Sequence, residues 1–159
     1  MAGRDDKKVL VAMDGSDHSV YAFDWYMDTV HKPDNEVIIV HCPDYSALTH
    51  SPVMSSDPSL VAQLMKKEEQ QINIIIAKLK EKLTGSGIKG RILRLSGDAG
   101  HAIVKTALAE HVDVIVTGTR GQGKFRRTLL GSVSDYILHH SHVPVLICKK
   151  PHDGSEEKQ

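Results

Sequence analysis

Short apolar runs separated by longer amphipathic stretches make up most of the chain. Five of these runs are continuous and rich in Val and Ile, which is typical of strands buried on both faces of a parallel sheet. The pattern predicts strands at Val9–Met13, Glu36–His41, Gly90–Leu95, Asp113–Thr117 and Val143–Cys148.

Four amphipathic stretches between the runs predict helices. Their apolar residues recur at spacings of three and four, as in a helix with one buried face. Pro33 follows the first stretch and Gly85 follows the second, and both residue types are common just after a helix ends. The predicted helices are Asp17–His31, Ser59–Leu83, Ala99–His111 and Ser132–His140.

Strand and helix therefore alternate along the whole chain, which predicts an α/β fold. Because crossovers between parallel strands are right-handed, we expect one open, doubly wound sheet with helices on both faces. The 159 residues suit a single domain, with a core at about residues 7–149. Ligands of such sheets bind at the carboxyl ends of the strands.

Composition narrows the range of partners. Lys+Arg and Asp+Glu balance at 20 each, so the chain has no overall attraction to nucleic acid or an acidic membrane. Cys42 and Cys148 lack the spacing of a zinc or thioredoxin-like motif and are interpreted as small buried side chains. The polar start, Met1–Lys8, has no signal-peptide core and no run approaches a membrane span, so we expect a cytoplasmic protein.

Two glycine patterns are set aside on their context. Residues 85–90 spell GxGxxG, but they follow a predicted helix and precede a strand, which is the wrong order for a dinucleotide site. Gly118–Lys124 follows a strand and is nearly a Walker A loop. Phe125 stands where that loop needs a Mg²⁺-binding Ser or Thr, so a conventional P-loop NTPase is disfavoured.

A third pattern, Gly118-x2-Gly121-x9-Gly131-Ser132, joins a strand to the start of the last helix. Glycines let a backbone approach a ligand closely, and a helix N-terminus presents N–H groups and a positive dipole to phosphate. The pattern predicts a phosphate-binding loop. A purely structural loop with an N-capping serine is the alternative.

At this spacing the sequence resembles the ATP-binding branch of the universal stress protein family. The resemblance also includes the first-strand ending Ala12–Ser16, the second-strand ending Val40-His41 and the closing Pro144–Ile147, and it covers about residues 7–149. It implies a Rossmann-like sheet of five parallel strands in the order 3-2-1-4-5. It also implies a homodimer paired through the edge strand Val143–Cys148.

The family's nucleotide site is transferred to this chain residue by residue. Asp14 matches an acidic residue near metal-bridged phosphates, which implies Mg²⁺ or Mn²⁺ bound together with the nucleotide. Cys42 stands where the family has a Val that packs on adenine. The residues expected to bind the nucleotide are Ala12, Asp14, His41, Cys42, Gly118, Arg120, Gly121, Lys124, Gly131, Ser132, Val133 and Ser134.

These features favour an adenine-nucleotide-binding protein, for ATP, ADP or AMP, that regulates or protects and hydrolyses ATP slowly or not at all. A slow ATPase or adenylyl-transfer enzyme on the same scaffold is the alternative, and a nucleotide-free interaction protein is a third. No paired carboxylates or Ser-His-Asp order is evident. His139 and His140 are interpreted as helix-end residues rather than metal ligands, because adjacent helical side chains point apart.

Overall fold

A computed structural model describes residues 6–45, 57–119 and 130–151. It contains five strands: β1 (Lys8–Ala12), β2 (Glu36–His41), β3 (Gly90–Arg94), β4 (Val114–Gly118) and β5 (Val145–Cys148). Four helices alternate with them: α1 (Asp17–Thr29), α2 (Pro58–Gly85), α3 (Ala99–Ala109) and α4 (Ser132–His140). Each lies within about two residues of its predicted position, so the alternation predicted from hydrophobic pattern is confirmed.

The strands form one parallel sheet in the order β3-β2-β1-β4-β5. β1 is central, with Val9 opposite Val37 of β2 on one side and opposite Val114 of β4 on the other. The order reverses beside β1, since the chain moves outward to β3 and then returns to β4. The predicted α/β class and strand order are confirmed, and this reversal is where doubly wound sheets place ligands.

Two apolar cores lie on opposite faces of the sheet. Helices α1 and α2 cover one face, where Phe23, Tyr26 and Leu79 pack on alternate strand residues such as Val9 and Val37. Helices α3 and α4 cover the other face, where Ile103 and Ile137 pack on the intervening residues such as Leu10 and Ile38. Because both faces are covered, β1 and β2 contain continuous apolar runs instead of an alternating pattern.

The serine- and proline-rich connection at residues 43–58 lies for most of its length outside the described ranges, as does the tail beyond residue 151. None of the helices in the described ranges has the length and apolar character needed to cross a bilayer.

Candidate functional site

A pocket lies at the carboxyl ends of the central strands, where the strand order reverses. Its walls come from the ends of β1, β2 and β4 and from the first turns of three helices. The described residues that line it are Ala12, Met13, Asp14, Ser19, Val40, Cys42, Ala99, Ile103, Thr117, Gly118, Val133 and Ser134.

The lining divides into apolar and polar parts. Val40, Ile103 and Val133 pack in the core on the α3/α4 face and also line the pocket, so this wall of the pocket is apolar. Asp14, Ser19 and Ser134 supply carboxylate and hydroxyl groups. Among the described lining residues, only Asp14 carries a formal charge at neutral pH. Such a pocket suits a ligand with a flat apolar part and a polar part.

The N-terminus of α4 differs from those of the other three described helices. Ser16, Asp57 and Asp98 cap α1, α2 and α3, each accepting a hydrogen bond from a backbone N–H of the first turn. Helix α4 begins after Gly131, which provides no side-chain cap. The serine N-cap of the alternative interpretation is therefore not formed, since Ser132 is the first residue inside the helix. Within the described residues, the N–H groups of this turn therefore receive no side-chain cap from the N-cap position, which leaves them suited to an anionic ligand.

Hydrogen bonds hold the start of α4 against the end of β4. The buried hydroxyl of Ser134 lies 2.8 Å from the carbonyl oxygen of Gly118 and 3.2 Å from that of Thr119. The Gly131 N–H also donates to the Thr119 carbonyl oxygen, at 2.5 Å. The helix terminus is thus fixed next to the pocket before any ligand binds.

Gly118 is required by a contact with α1. A Cβ atom at this position would lie 2.8 Å from the carbonyl oxygen of His18 and 3.0 Å from its carbonyl carbon. Because both are backbone atoms, a larger residue would force α1 away from β4. The sequence interpretation gave Gly118 the task of leaving space for a ligand, and the structure adds the close packing of α1.

Asp14 occupies the turn between β1 and α1. Its Oδ1 atom accepts a hydrogen bond from the Ser16 N–H at 2.9 Å, which closes an Asx turn. Gly15 between them has φ +84°, a conformation that L-residues with a side chain rarely adopt. This turn fixes the carboxylate of Asp14 at the rim of the pocket.

Cys42 lies in the pocket wall just after β2. Its thiol lies 3.5 Å from the carbonyl oxygen of Gly97, in the connection that leads to α3. Burial raises the pKa of this thiol, and the charges of Asp98 and Asp44 raise it further. Cys42 therefore remains a neutral thiol at physiological pH and contributes a small apolar surface.

The structure brings six of the predicted nucleotide-binding residues together in the pocket lining. These are Ala12, Asp14, Cys42, Gly118, Val133 and Ser134. Gly131 and Ser132 begin α4 beside them without lining the pocket, and His41 also lies outside the lining. Arg120, Gly121 and Lys124 fall outside the described residues.

Sequence reasoning missed half of the lining. Ala99 and Ile103 come from α3, far along the chain from the glycine motif, and no local signal marks them. Ser19 and Thr117 carried a weak signal, because each hydroxyl residue lies next to a predicted strand end or helix start. A search for hydroxyl residues at these junctions would have found both.

His139 and His140 are the last two residues of α4. The His140 Nδ1 atom lies 2.9 Å from the carbonyl oxygen of Tyr136, one turn earlier, so this nitrogen carries the proton and donates. His139 lies 3.4 Å from Asp135 on the exposed surface. Across the described residues, no group of three or more His, Cys, Asp or Glu side chains is placed to hold a metal ion. The interpretation of His140 as a helix-end residue is confirmed.

The sequence was also compared with known proteins. The sequence model of the universal stress protein family matches residues 6–149. The universal stress protein MJ0531 of Methanocaldococcus jannaschii is 33% identical over 145 residues, which are 91% of this chain and 83% of that protein.

Solved structures share the fold. The structure of the hypothetical protein MJ0577 matches with a TM-score of 0.76 and 26% identity, over 92% of this chain and 98% of its own. A universal stress protein family protein from Arabidopsis thaliana, solved with AMP bound, matches with a TM-score of 0.68 over 96% of this chain and 97% of its own. At 18% identity, the Arabidopsis likeness establishes the fold alone.

Proposed function

Because the chain belongs to the universal stress protein family, we propose that it binds an adenine nucleotide at the carboxyl edge of its sheet. The observation that carries the proposal is the uncapped N-terminus of α4 beside a pocket with separate apolar and polar walls. A helix terminus of this kind favours phosphate, and the apolar wall favours a flat base. The Arabidopsis protein of the same fold holds AMP, which agrees with this chemistry.

The pocket offers a place for each part of the ligand. Val40, Cys42 and Ile103 would contact the base, because they form the apolar side of the lining. The backbone N–H groups of Ser132 and Val133, in the uncapped first turn of α4, would bind phosphate oxygens. The possible ligands are ATP, ADP and AMP. Arg120, Gly121 and Lys124 would add contacts to the longer phosphate chains.

Asp14 fits a divalent cation that arrives with the nucleotide. A carboxylate that faces phosphate repels it unless a cation lies between them. Mg²⁺ is commonly held by one or two carboxylates together with substrate phosphates and water, and this site supplies one carboxylate. When bound, Mg²⁺ or Mn²⁺ would neutralise phosphate charge, while Asp14 would orient the cation and the Asx turn would hold Asp14.

We propose that the protein binds the nucleotide and hydrolyses it slowly or not at all. It would act as a regulatory or protective module in the stress response. The described lining contains no His, Lys or Arg that could act as a general base or stabilise transferred phosphate. A slow ATPase or adenylyl-transfer activity is the alternative. Phosphate or pyrophosphate release above that of a binding-deficient variant would favour it.

The active form would be a homodimer paired through β5. This strand lies at the edge of the sheet, and Val145, Leu146 and Ile147 are only partly buried within one chain. An apolar edge strand is prone to uncontrolled pairing, and a two-fold pairing with a second copy would cover it.

Calorimetric titration tests nucleotide binding. Nucleotide-free protein should release or absorb heat with Mg·ATP or AMP, whereas Gly131→Arg should abolish the signal by placing a long side chain at the start of α4. Gly85→Arg is the matched control, since a Cβ atom there meets no atom within 4 Å. Absence of heat for ATP, ADP and AMP with the folded wild-type protein would refute the proposal.

A further inference from the structure

His41 is the last residue of β2, and its side chain projects toward the α1/α2 face of the sheet without lining the pocket. Val40 belongs to the core on the α3/α4 face and lines the pocket. Because successive residues of a strand point to opposite faces, His41 projects toward the α1/α2 side, like Ile39. Only 3% of its surface is exposed. A direct contact between this imidazole and a ligand in the pocket is therefore disfavoured.

The imidazole is bound instead to the neighbouring strand. Its Nδ1 atom lies 2.8 Å from the carbonyl oxygen of Met13, the residue before Asp14. Because a carbonyl oxygen only accepts, Nδ1 carries the proton and donates this bond. The bond ties the end of β2, where Cys42 begins the pocket wall, to the turn that carries Asp14.

The backbone of His41 holds the third strand end. Its carbonyl oxygen accepts a hydrogen bond from the Leu95 N–H at 2.7 Å, just beyond β3. The chain then continues to Gly97, whose carbonyl oxygen faces the Cys42 thiol, and on to Ala99 in the pocket lining. One residue thus connects the ends of β1, β2 and β3.

We propose that His41 is a positioning residue. Its side chain and backbone connect the ends of β1, β2 and β3 from the α1/α2 side of the sheet, and so set the separation of the pocket walls. The inference rests on the proposed nucleotide site, because it explains how Asp14 and Cys42 are placed for that ligand. It assigns His41 a role different from the ligand contact that the family resemblance implies.

The second ring nitrogen shows which part of the side chain matters. Within the described structure, the Nε2 atom of His41 is buried and has no hydrogen-bond partner. The required group is then a single N–H donor at the position of Nδ1. Asparagine places an amide N–H at about that position, whereas leucine fills a similar volume without a donor.

Binding measurements on three variants test this role. His41→Leu should weaken AMP or Mg·ATP binding by about five- to tenfold, the effect of one lost hydrogen bond. His41→Asn should bind within about twofold of wild type, because it restores that donor. Tyr26→Phe is the matched control, since Tyr26 is fully buried, its hydroxyl lies 2.8 Å from His31 Nδ1, and neither residue lines the pocket. It should bind like wild type.

Amide hydrogen exchange in the nucleotide-free protein tests the same role without a ligand. His41→Leu should speed exchange of the Leu95 and Met13 amides by about five- to tenfold, and His41→Asn should leave them unchanged. If wild-type protein fails to bind nucleotide while the two variants show this exchange pattern, the proposed function is refuted and the positioning role is kept.

Two results would overturn the positioning role. The first is a folded His41→Asn protein that loses nucleotide binding, because the imidazole itself would then be needed. The second is a His41→Leu protein with wild-type binding and exchange. If His41→Leu does not fold, the His41→Asn protein alone decides between the two roles.

Discussion

The hydroxyl of Ser134 donates a 2.8 Å hydrogen bond to the carbonyl oxygen of Gly118, and so joins the first turn of α4 to the end of β4. Ser134 is 3% exposed, and both residues line the pocket. The bond orients the uncapped helix terminus that we propose binds phosphate. It makes the placement of this terminus a property of the folded chain rather than of the ligand.

Removing this hydroxyl should reduce both stability and binding. Ser134→Ala should lower the free energy of unfolding by about 1 kcal/mol, because it breaks a buried hydrogen bond. It should weaken nucleotide binding severalfold by loosening α4. Urea denaturation and calorimetric titration measure the two effects. For stability, Ser132→Ala on the exposed side of the same turn is the control and should cost less than about 0.5 kcal/mol.

A methyl group at Gly118 should disturb the packing of α1. Gly118→Ala would place its Cβ 2.8 Å from the His18 carbonyl oxygen, so we expect a loss of about 1–3 kcal/mol in the free energy of unfolding. Gly85→Ala, where nothing lies within 4 Å of the new atom, should be neutral or slightly stabilising. Equal urea midpoints for the two variants would contradict the close approach of α1 to β4.

The charge of Asp14 should decide whether the nucleotide needs a divalent cation. Asp14→Asn keeps an oxygen that can accept the Ser16 N–H bond, so the turn should persist. It removes the negative charge, so ATP affinity should become nearly independent of Mg²⁺. Titrations with Mg²⁺ and with a chelator measure this dependence. A variant that still requires Mg²⁺ as strongly as wild type would exclude Asp14 from the cation site.

Acid should destabilise the protein through His31. Burial lowers the pKa of His31 below its ordinary value of 6.5. Its Nδ1 atom lies 2.8 Å from the Tyr26 hydroxyl, which in turn accepts a hydrogen bond from Asn35. The Tyr26 proton therefore points at Nδ1, and this arrangement needs a neutral ring.

The sign of the pH effect follows from this pKa shift. Below pH 6.5 the unfolded chain binds more protons at His31 than the folded protein does, so stability falls as the pH drops through this value. The urea midpoint of wild type should fall between pH 7.5 and pH 5.5 by more than that of His31→Gln, which does not titrate. Parallel midpoints for both proteins would remove His31 from the acid response.

A charge at Ile147 of the edge strand β5 should separate the proposed dimer. Ile147 is partly buried but does not pack against either buried core cluster, unlike Leu146 and Val145. Ile147→Glu should therefore leave the monomer folded and prevent strand pairing. Light scattering after size-exclusion chromatography reports the mass, and circular dichroism checks the fold. A dimeric Ile147→Glu protein would place the interface elsewhere.

The sequence by itself determined the order and type of the elements, and the position of the glycine motif between a strand and the last helix. These are local properties, because periodicity in Val9–Met13 or in Ser132–His140 reflects which faces of an element are buried. The family resemblance extended this to the strand order and to six residues that share the pocket. Asp14 and Ser134 were found in this way although 120 positions separate them along the chain.

Only the tertiary structure decided which side chains face the pocket. Ala99 and Ile103 reach the pocket because α3 packs across the sheet. Position 118 requires glycine because the backbone of His18, 100 positions earlier, lies too close for a Cβ atom. His41 and Cys42 are neighbours in sequence, but only Cys42 lines the pocket. The physical reason is the same in each case. Contacts between distant segments depend on how the helices and strands pack together, and so does the choice of side chains that line a site. Local sequence patterns do not specify this packing.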